Sequence, residues 1–472
     1  MKKTIIVLFI FLSLYSFSQE LTSNNTEIND AFKLAVQTMD INTRRGILAA
    51  GGDYGGEWTR DISINSWNAV NLLRPKVAEK SLWSVTINKD TIGHQYWDKI
   101  IWVIGAYDHY LINGDKTFLA QAYICSANTM KQLEQTTFDT KYGLFMGGSV
   151  FNDGIAAYPE PIYEPNNFLS GVLNHKGSYH TKCLSTNCLY FGAYNVLAKM
   201  NIILNGKQET TAIYHKKAEC LKANILKYLY NSDKNTFNYF IDQNGTVHQY
   251  QEGLGISFAV IFGVINGEKA KELITNAVVS KFGITSITPD FTRYSKEKPG
   301  RHNNIIWPMV NGFYARAAIV SDSYKSFTHE LFSLTHLALD EDKGDYDFRE
   351  IYNPYSGKPD GGFQARGSEY PNYHWESCKL QTWSATAYMS MVINGLIGMK
   401  FSEKAVSFTP FLPEGINALK INHIAYRNSN LNISITGRGN RISSFMLDGK
   451  KKSNYTISST LKGIHSIAIV LK

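Results

Sequence analysis

Helical periodicity runs along most of this 472-residue chain and constrains its fold more than any other feature. From Ile28 to about Met399, apolar residues recur at helical spacing, and Gly, Pro or Asn-Gly breaks the pattern roughly every 15 to 20 residues. The pattern predicts about twelve helices. Twelve helices in hairpins can close into a ring of six inner and six outer helices, so we predict a mainly α, (α/α)6 six-hairpin barrel.

The clearest predicted helices are 61–73, 95–111, 116–133, 186–200, 209–229, 269–279, 305–320, 323–339 and 381–397. Weaker segments lie at 28–39 and 253–265. Some connections between them are long and rich in Gly, Pro, Trp, Tyr and acids, and long loops in a compact domain are usually functional. Such loops gathered at one end of the ring would form a cup.

The periodicity changes to two after Lys400, where apolar and polar residues alternate in runs separated by turn residues such as Asp448-Gly449. This pattern predicts a small C-terminal antiparallel β-domain over 403–472, following a barrel domain over 20–402. We expect the β-domain to pack against the barrel; a sugar-binding module is the alternative.

The first residues indicate export. Lys2 and Lys3 precede an apolar run from Ile5 to about Leu14, and small residues follow. These are the features of a secretory signal peptide, which we assign to residues 1–19, so a periplasmic or secreted protein is expected. The run is shorter than the roughly 20 apolar residues that a membrane-spanning helix needs, and no later segment is long and apolar enough to span a membrane.

Composition excludes several classes of partner. The formal charge of +8 comes from basic residues that are scattered along the chain, whereas nucleic-acid binding needs a concentrated basic face. The five cysteines have no zinc spacing; Cys183 and Cys188 either bridge locally or are buried apolar residues. No metal-binding or phosphate-binding motif stands out. Aromatic residues make up 13% of the chain and suit both a core and stacking on sugar rings.

The stretch Gly51–Val70 joins four glycines to a cluster of functional side chains at the start of a predicted helix. Asp61 by itself suits a helix cap, because carboxylates favour the positive end of a helix. Trp58 and Arg60 need a different explanation. An Arg-Asp pair beside a Trp can clamp a sugar through charge-assisted hydrogen bonds and stacking.

Trp-Thr-Arg-Asp at residues 58–61 resembles the signature of glucoamylases and related six-hairpin glycoside hydrolases, including debranching and mannosylglycerate-type enzymes. Further segments are similar to that superfamily's motifs in the same order: His94-Gln95-Tyr96-Trp97-Asp98, Arg301-His302-Asn303 with Trp307-Pro308, and Gln381-Thr382-Trp383. In this superfamily the Arg-Asp pair holds the sugar at the non-reducing end. The resemblance therefore implies a substrate-binding role for Trp58, Arg60, Asp61, Trp97, Asp98, His302, Asn303, Trp307 and Trp383.

Glycoside hydrolysis needs two carboxyl groups, one that protonates the leaving oxygen and one that activates water or attacks. Phe-Asn-Asp-Gly at residues 151–154 is similar to the acid motif of debranching-type members, which makes Asp153 the expected general acid, with Glu160 and Glu164 in reserve. The segment that begins at Glu350 is similar to the one that carries the general base of glucoamylases. Glu376 is the alternative base, and otherwise an expected substrate contact.

The resemblance implies an inverting exo-glycosidase that removes a terminal, α-glucosidic sugar from an oligosaccharide or glycoside without a cofactor. Two other interpretations stay open. One is a sugar epimerase or lyase on the same barrel, and the other is a carbohydrate-binding protein that lacks catalysis. A fold by itself does not establish a substrate.

Overall fold

The structure is a computed structural model that describes residues 19–56, 58–93, 97–340 and 345–472. The predicted signal peptide, up to Ser18, lies outside the described residues, as do Glu57 and the motif residues 94–96. Within these ranges, no helix is both long enough and apolar enough to cross a bilayer.

The described residues contain twelve helices, which we number α1 to α12. They are α1 Thr26–Ile41; α2 Thr59–Asn65, continued by a π-helical turn Ser66–Val70 and by Asn71–Leu73; α3 Pro75–Ser84; α4 Ile101–Asn113, preceded by a 3-10 turn Trp97–Ile100; α5 Lys116–Thr137; α6 Leu184–Ile203; α7 Gln208–Tyr228; α8 Gly253–Ile261; α9 Gly267–Thr275; α10 Pro308–Val320; α11 Tyr324–Leu339; and α12 Thr382–Ser390, continued by a π-helical segment Met391–Leu396. Short 3-10 turns lie at Ile155–Ala157, Val172–Asn174 and Lys176–His180.

The even-numbered helices form a closed inner ring, in which each contacts the next and α12 returns to α2. Their residues are buried on nearly all sides, as in α6 and α12. The odd-numbered helices pack outside this ring and bury one face, as α1 does with Ile28, Phe32 and Val36. The predicted (α/α)6 barrel is confirmed.

Local sequence signals place several helix ends. The side chains of Asn25 and Asp115 accept hydrogen bonds from backbone N–H groups in the first turns of α1 and α5. Pro308 opens α10, and Gly114 ends α4 with a φ of 79°. Helix α3 is not among the clear predictions, because it has only ten residues, from Pro75 to Ser84.

Most loops between hairpins contain short antiparallel ladders. The pairs are Thr43–Arg44 with Ile47–Leu48, Thr86–Ile87 with Thr91–Ile92, Phe138–Asp139 with Leu144–Phe145, Tyr230–Asn231 with Thr236–Phe237, Gln251–Glu252 with Ile287–Thr288, and Phe363–Gln364 with Tyr373–His374; Phe240–Ile241 pairs with both Lys182–Cys183 and Val247–His248. These ladders stiffen the loops that surround one end of the ring.

The C-terminal strands form two sheets. We number β1 Leu21–Ser23, β2 Met399–Phe401, β3 Ala405–Phe408, β4 Ala418–Tyr426, β5 Ser429–Thr436, β6 Ile442–Leu447, β7 Lys450–Lys451, β8 Thr456–Ser458 and β9 Gly463–Leu471. The larger sheet has the order β1-β4-β5-β9-β6-β7, and the smaller has the order β2-β3-β8.

The larger sheet departs from the sequence prediction in two ways. Strand β1, from the N-terminal side of the barrel, pairs with β4, because the chain passes the sheet edge just before α1 begins. Strands β5 and β9 are parallel, whereas the other pairs are antiparallel. Alternating side chains of β5 are buried, as the period-two pattern predicts.

Candidate active site

A cavity of about 240 Å³ lies at the end of the ring where the N-termini of the inner helices gather. Trp58, Trp307 and Gln381 immediately precede α2, α10 and α12, and all three line the cavity. None of these side chains caps its own helix. The positive ends of three helices therefore point toward one cavity. The lining residues are Ala50, Tyr54, Trp58, Arg60, Asp61, Phe151, Asp153, Gly154, Ser170, Gly171, Arg301, His302, Trp307, Glu350, Gln364, Gln381 and Trp383.

Arg60, in the first turn of α2, is the centre of a buried acidic cluster. Its Nη1 lies 3.1 Å from Asp98 Oδ2, and its Nη2 lies 3.0 Å from Asp153 Oδ2. Asp61 is also buried and lines the same cavity. Trp58, rather than Asp61, occupies the N-cap position, so the cap interpretation of Asp61 does not hold.

The cluster holds three carboxyl groups and one guanidinium, so burial disfavours the fully ionised state. Burial raises the pKa of Asp61 to about 7; Arg60 opposes this shift, whereas Asp153 and Asp98 add to it. The same carboxylates raise the pKa of Arg60 despite its burial, which by itself would lower it. Asp61 is consequently able to carry a proton near neutral pH and to donate a hydrogen bond to a ligand.

Asp153 lies on the loop between α5 and α6. We call its residues 147–154 the acid loop, and several contacts hold this segment. The Trp97 indole packs against Gly147 and Gly148, and its Nε1 donates to the Ser149 carbonyl oxygen at 3.0 Å. The backbone of Phe151 adopts a left-handed conformation with a φ of 62°. Such strain in a non-glycine residue persists where the surrounding structure imposes it and is common at functional sites.

Asp98 connects the acid loop to Arg60 through two hydrogen bonds. Its Oδ2 accepts hydrogen bonds from Arg60 and from the Phe151 N–H, the latter at 2.9 Å. Asp98 is completely buried, whereas the Asp153 side chain is 26% exposed and faces the cavity. Asp98 therefore positions the groups around it, while Asp153 is free to contact a ligand.

Glu350 enters the cavity from the loop between α11 and α12. Arg301 Nη2 lies 3.0 Å from Glu350 Oε1 and 3.1 Å from Oε2, and Arg301 Nη1 donates to the Gly361 carbonyl oxygen. The Tyr54 hydroxyl donates to Glu350 Oε1 at 3.0 Å. A guanidinium and a hydroxyl donor are suited to an ionised carboxylate.

We expect Tyr54→Phe to lower kcat by roughly 10- to 100-fold, because a hydrogen bond to a charged group contributes roughly 1.5 to 3 kcal/mol. The ring is retained, so the thermal unfolding midpoint should change little. Steady-state kinetics of both proteins on an α-linked disaccharide would measure the effect. An unchanged kcat would show that Tyr54 does not assist Glu350.

Several aromatic rings line the cavity and pack against one another. His302 stacks on Trp307 with ring centroids 4.8 Å apart, and Phe151 meets Trp307 and Trp383 edge-on. The Trp307 Nε1 donates to the Arg301 carbonyl oxygen at 2.9 Å. These contacts hold flat apolar faces beside the carboxylates, an arrangement that suits a sugar ring.

Gly154 allows His302 and the acid loop to approach each other closely. A Cβ added at Gly154 would lie 2.4 Å from Gln364 Oε1 and 2.5 Å from His302 Cδ2. Gly154→Ala is therefore expected to destabilise the fold by about 1 to 3 kcal/mol through overpacking. Thermal or denaturant unfolding would measure this. Gly55→Ala is the matched control, because a Cβ at Gly55 meets nothing within 4 Å, and equal losses for both variants would contradict the prediction.

Most of the residues predicted to form the site line the cavity together: Trp58, Arg60, Asp61, Asp153, His302, Trp307, Glu350 and Trp383. Trp97, Asp98, Asn303 and Glu376 do not line it, and their contact with substrate stays a prediction. Trp97 and Asp98 are buried behind the acid loop. Asn303 uses its side chain on backbone groups of Ile287, Pro289 and Phe291.

Glu376 is exposed and lies outside the cavity wall, whereas Glu350 is buried within it. Of the two residues considered as the base, the geometry favours Glu350. The two alternative acids, Glu160 and Glu164, do not line the cavity either. Glu160 is exposed, and Glu164 contacts His175 and Asn167.

Sequence reasoning did not assign site roles to Tyr54, Arg301, Gln364 and Gln381. Arg301 and Gln381 lie within the sequence motifs that contain His302 and Trp383. Their position beside those residues could have indicated that they line the site. Tyr54 and Gln364 lie in loops whose path only the tertiary structure defines. Over the described ranges, no group of three or more His, Cys, Asp or Glu side chains could hold a metal ion.

Two family models match the chain. The Mannosylglycerate hydrolase MGH1-like glycoside hydrolase domain matches residues 94–376, which is more than half of the sequence and includes Asp153 and Glu350. The Glycosyl hydrolase family 65, C-terminal domain, matches residues 399–452 in the β-domain. No curated protein matches the sequence.

Solved structures share the fold at low identity. The GH63 mannosylglycerate hydrolase from Thermus thermophilus in complex with glucose is 13% identical, with a TM-score of 0.59 over 76% of this chain and 99% of that chain. A sialidase is 15% identical with a TM-score of 0.70 over 92% of this chain, and a GH78 family rhamnosidase of Bacillus SP. GL1 is 13% identical with a TM-score of 0.57 over 89%. The present chain covers only 40% and 42% of those two chains.

At these identities the structural likeness establishes the six-hairpin fold, and the match over residues 94–376 establishes the family. Asp153 and Glu350 both lie inside that match. This chain therefore belongs to the mannosylglycerate hydrolase MGH1-like family of glycoside hydrolases.

Proposed function

We propose that this protein is a secreted or periplasmic exo-glycosidase that hydrolyses a terminal α-linked sugar, α-glucosidic in the first instance, with inversion at the anomeric carbon. One observation carries the proposal. Asp153 and Glu350 come from different loops, enter the same cavity, and are each held by a buried arginine, Arg60 and Arg301 respectively.

The surroundings of the two carboxyl groups suit different roles. Asp153 is partly exposed to the cavity and one of its oxygens is not engaged by Arg60, so it can present a proton to a leaving oxygen. Glu350 is more deeply buried and receives hydrogen bonds from Arg301 and Tyr54, which suit a carboxylate that takes a proton from water. Inversion would require the two groups to be roughly 6.5 to 9.5 Å apart, with a water beside Glu350.

The location of the cavity supports exo-action, whereas the identity of the sugar rests on the sequence resemblance. The cavity lies at one end of a closed ring of inner helices, whose packed core blocks passage of a chain through the barrel. Such a pocket suits the end of a substrate. An α-linked glucose is favoured by the Trp-Thr-Arg-Asp resemblance, and one similar structure, a mannosylglycerate hydrolase, is described in complex with glucose.

Export is proposed from the N-terminal sequence alone. Lys2, Lys3 and the apolar run after them have the order of a signal peptide. Fractionation of cells that express the full chain, followed by N-terminal sequencing of the product, would test it. A full-length product in the cytoplasm would contradict this part of the proposal without affecting the hydrolase.

The hydrolase is tested by incubating the protein with a panel of α-linked disaccharides and α-mannosylglycerate, and by following the new anomer with proton NMR. We expect release of a single terminal sugar whose first-formed anomer is inverted. Release of the retained anomer would contradict inversion, and internal cleavage of longer oligosaccharides would contradict exo-action. Tight sugar binding with no hydrolysis across the panel would favour a carbohydrate-binding protein.

A further inference from the structure

Asn152 and His302 form a hydrogen-bonded chain beside Asp153 that the proposed hydrolytic roles do not use. Asn152 is completely buried; its Oδ1 lies 3.2 Å from His302 Nδ1, and its Nδ2 donates to Ser149 Oγ at 2.6 Å. The other ring nitrogen, His302 Nε2, lies 3.9 Å from Asp153 Oδ1. The nitrogen that carries the ring proton decides whether His302 offers Asp153 a donor or an acceptor.

The orientation of the Asn152 amide follows from its neighbours. The Tyr239 hydroxyl donates to the Ala157 carbonyl oxygen, so toward Ser149 Oγ, 3.2 Å away, Tyr239 can only accept. The single hydroxyl proton of Ser149 is therefore donated to Tyr239, and the Ser149 oxygen accepts from Asn152 Nδ2.

Asn152 Oδ1 consequently faces His302. It is an acceptor, and it also receives a weak hydrogen bond from Ser286 Oγ at 3.4 Å. His302 Nδ1 must then be the donor in the 3.2 Å contact. A neutral imidazole has one N–H, so Nε2 is left with a lone pair that faces Asp153.

His302 is neutral in these surroundings. Burial lowers its pKa to about 3; Asp153 opposes the shift, while the charges of Arg301 and Arg60 add to it. These three are the charged groups that act on the ring, and Trp307 covers one of its faces. An imidazolium here would add a third positive charge to a buried site that already holds the guanidinium groups of Arg301 and Arg60.

The two oxygens of Asp153 are not equivalent. Oδ2 accepts from Arg60 Nη2 at 3.0 Å, so the proton of the carboxylic acid belongs on Oδ1, the oxygen that faces His302 Nε2. A contraction of the 3.9 Å gap by about 1 Å would make a hydrogen bond.

We propose that Asn152 is a positioning residue that holds His302 as the Nδ1–H tautomer, so that His302 Nε2 accepts the Oδ1–H of Asp153 until a substrate oxygen replaces the imidazole. The opposite tautomer would donate Nε2–H to Asp153 and stabilise the carboxylate, which cannot protonate a leaving group. This inference rests on the proposed acid role of Asp153.

The tautomer is measurable without any activity assay. Nitrogen-15 NMR of the full chain labelled at its twelve histidines, with His302→Gln to identify the signal, reports which ring nitrogen carries the proton. We expect neutral His302 with Nδ1–H throughout the range from about pH 5 to pH 8. An Nε2–H tautomer or an imidazolium in that range would overturn the inference.

Asn152→Leu then tests the consequence for catalysis. Leucine has nearly the shape of asparagine but cannot accept from Nδ1–H, so His302 should change to the Nε2–H tautomer. The alkaline limb of the pH profile of kcat/KM should move to lower pH by about one unit, because the carboxylate form of Asp153 gains a donor. A merely structural role would lower activity without moving that limb.

Ser286→Ala is the matched control, because it removes a donor to the same Oδ1 and leaves the acceptor in place; its pH profile should match the wild type. Hydrolysis with an unmoved limb in Asn152→Leu would overturn the inference and leave the proposed function intact. A wild type that hydrolyses nothing would remove the proposed function, and the NMR measurement would still decide the tautomer.

Discussion

Asp153→Asn is expected to lower kcat by roughly 10² to 10⁴-fold on substrates with alkoxide leaving groups, which is the usual contribution of a general acid. Asparagine retains the shape of the side chain and an acceptor for Arg60, whose Nη2 lies 3.0 Å from Asp153 Oδ2. The loss should therefore be in chemistry rather than in folding. Steady-state kinetics and a thermal unfolding midpoint on the same preparation would separate the two.

The leaving group provides the decisive comparison for Asp153. Dinitrophenolate is weakly basic and departs without protonation, so a dinitrophenyl glycoside should restore most of the kcat of Asp153→Asn. Asp233→Asn, at an exposed position on the turn after α7, is the matched control and should behave as wild type on both substrates. Equal losses on both kinds of substrate would exclude Asp153 as the acid.

Glu350→Gln is expected to lower kcat by a similar factor, roughly 10² to 10⁴-fold, on every leaving group. The glutamine cannot take a proton from water, and it also leaves the buried Arg301 without its anionic partner, 3.0 Å away. An activated leaving group should not restore this variant, because the missing step is the activation of water. The acidic limb of the pH profile should be lost in whatever activity remains.

The control for Glu350→Gln is Glu376→Gln, which also tests the alternative base. Glu376 is exposed and does not line the cavity, so this variant should retain kcat within about twofold, as substitutions away from special features usually do. A large loss in Glu376→Gln together with an active Glu350→Gln would reverse the assignment. Because Glu350→Gln can also destabilise the fold, its unfolding midpoint must accompany the kinetics.

Sequence motifs predicted which residues lie near the site, but not every member of a motif lines the cavity. Arg60, His302 and Trp307 belong to short contiguous motifs that adjoin helix starts, so their location at one end of the ring follows from the helix pattern. Asn303 belongs to the same kind of motif but folds its amide onto loop carbonyls. A motif thus identifies a neighbourhood, and only side-chain packing decides which of its members reach the cavity.

Sequence by itself determined the helical ring and the β-domain, because periodicity and helix caps are local properties of the chain. Its motifs singled out Asp153 as the acid but left Glu350 and Glu376 as alternatives for the base. The tertiary structure alone decided the partners of those carboxyl groups. Tyr54 reaches Glu350 across 296 residues, and Arg60 reaches Asp153 across 93. It also added β1 to the C-terminal sheet. Contacts between residues so far apart depend on how loops close over the finished barrel, and no local pattern records that closure.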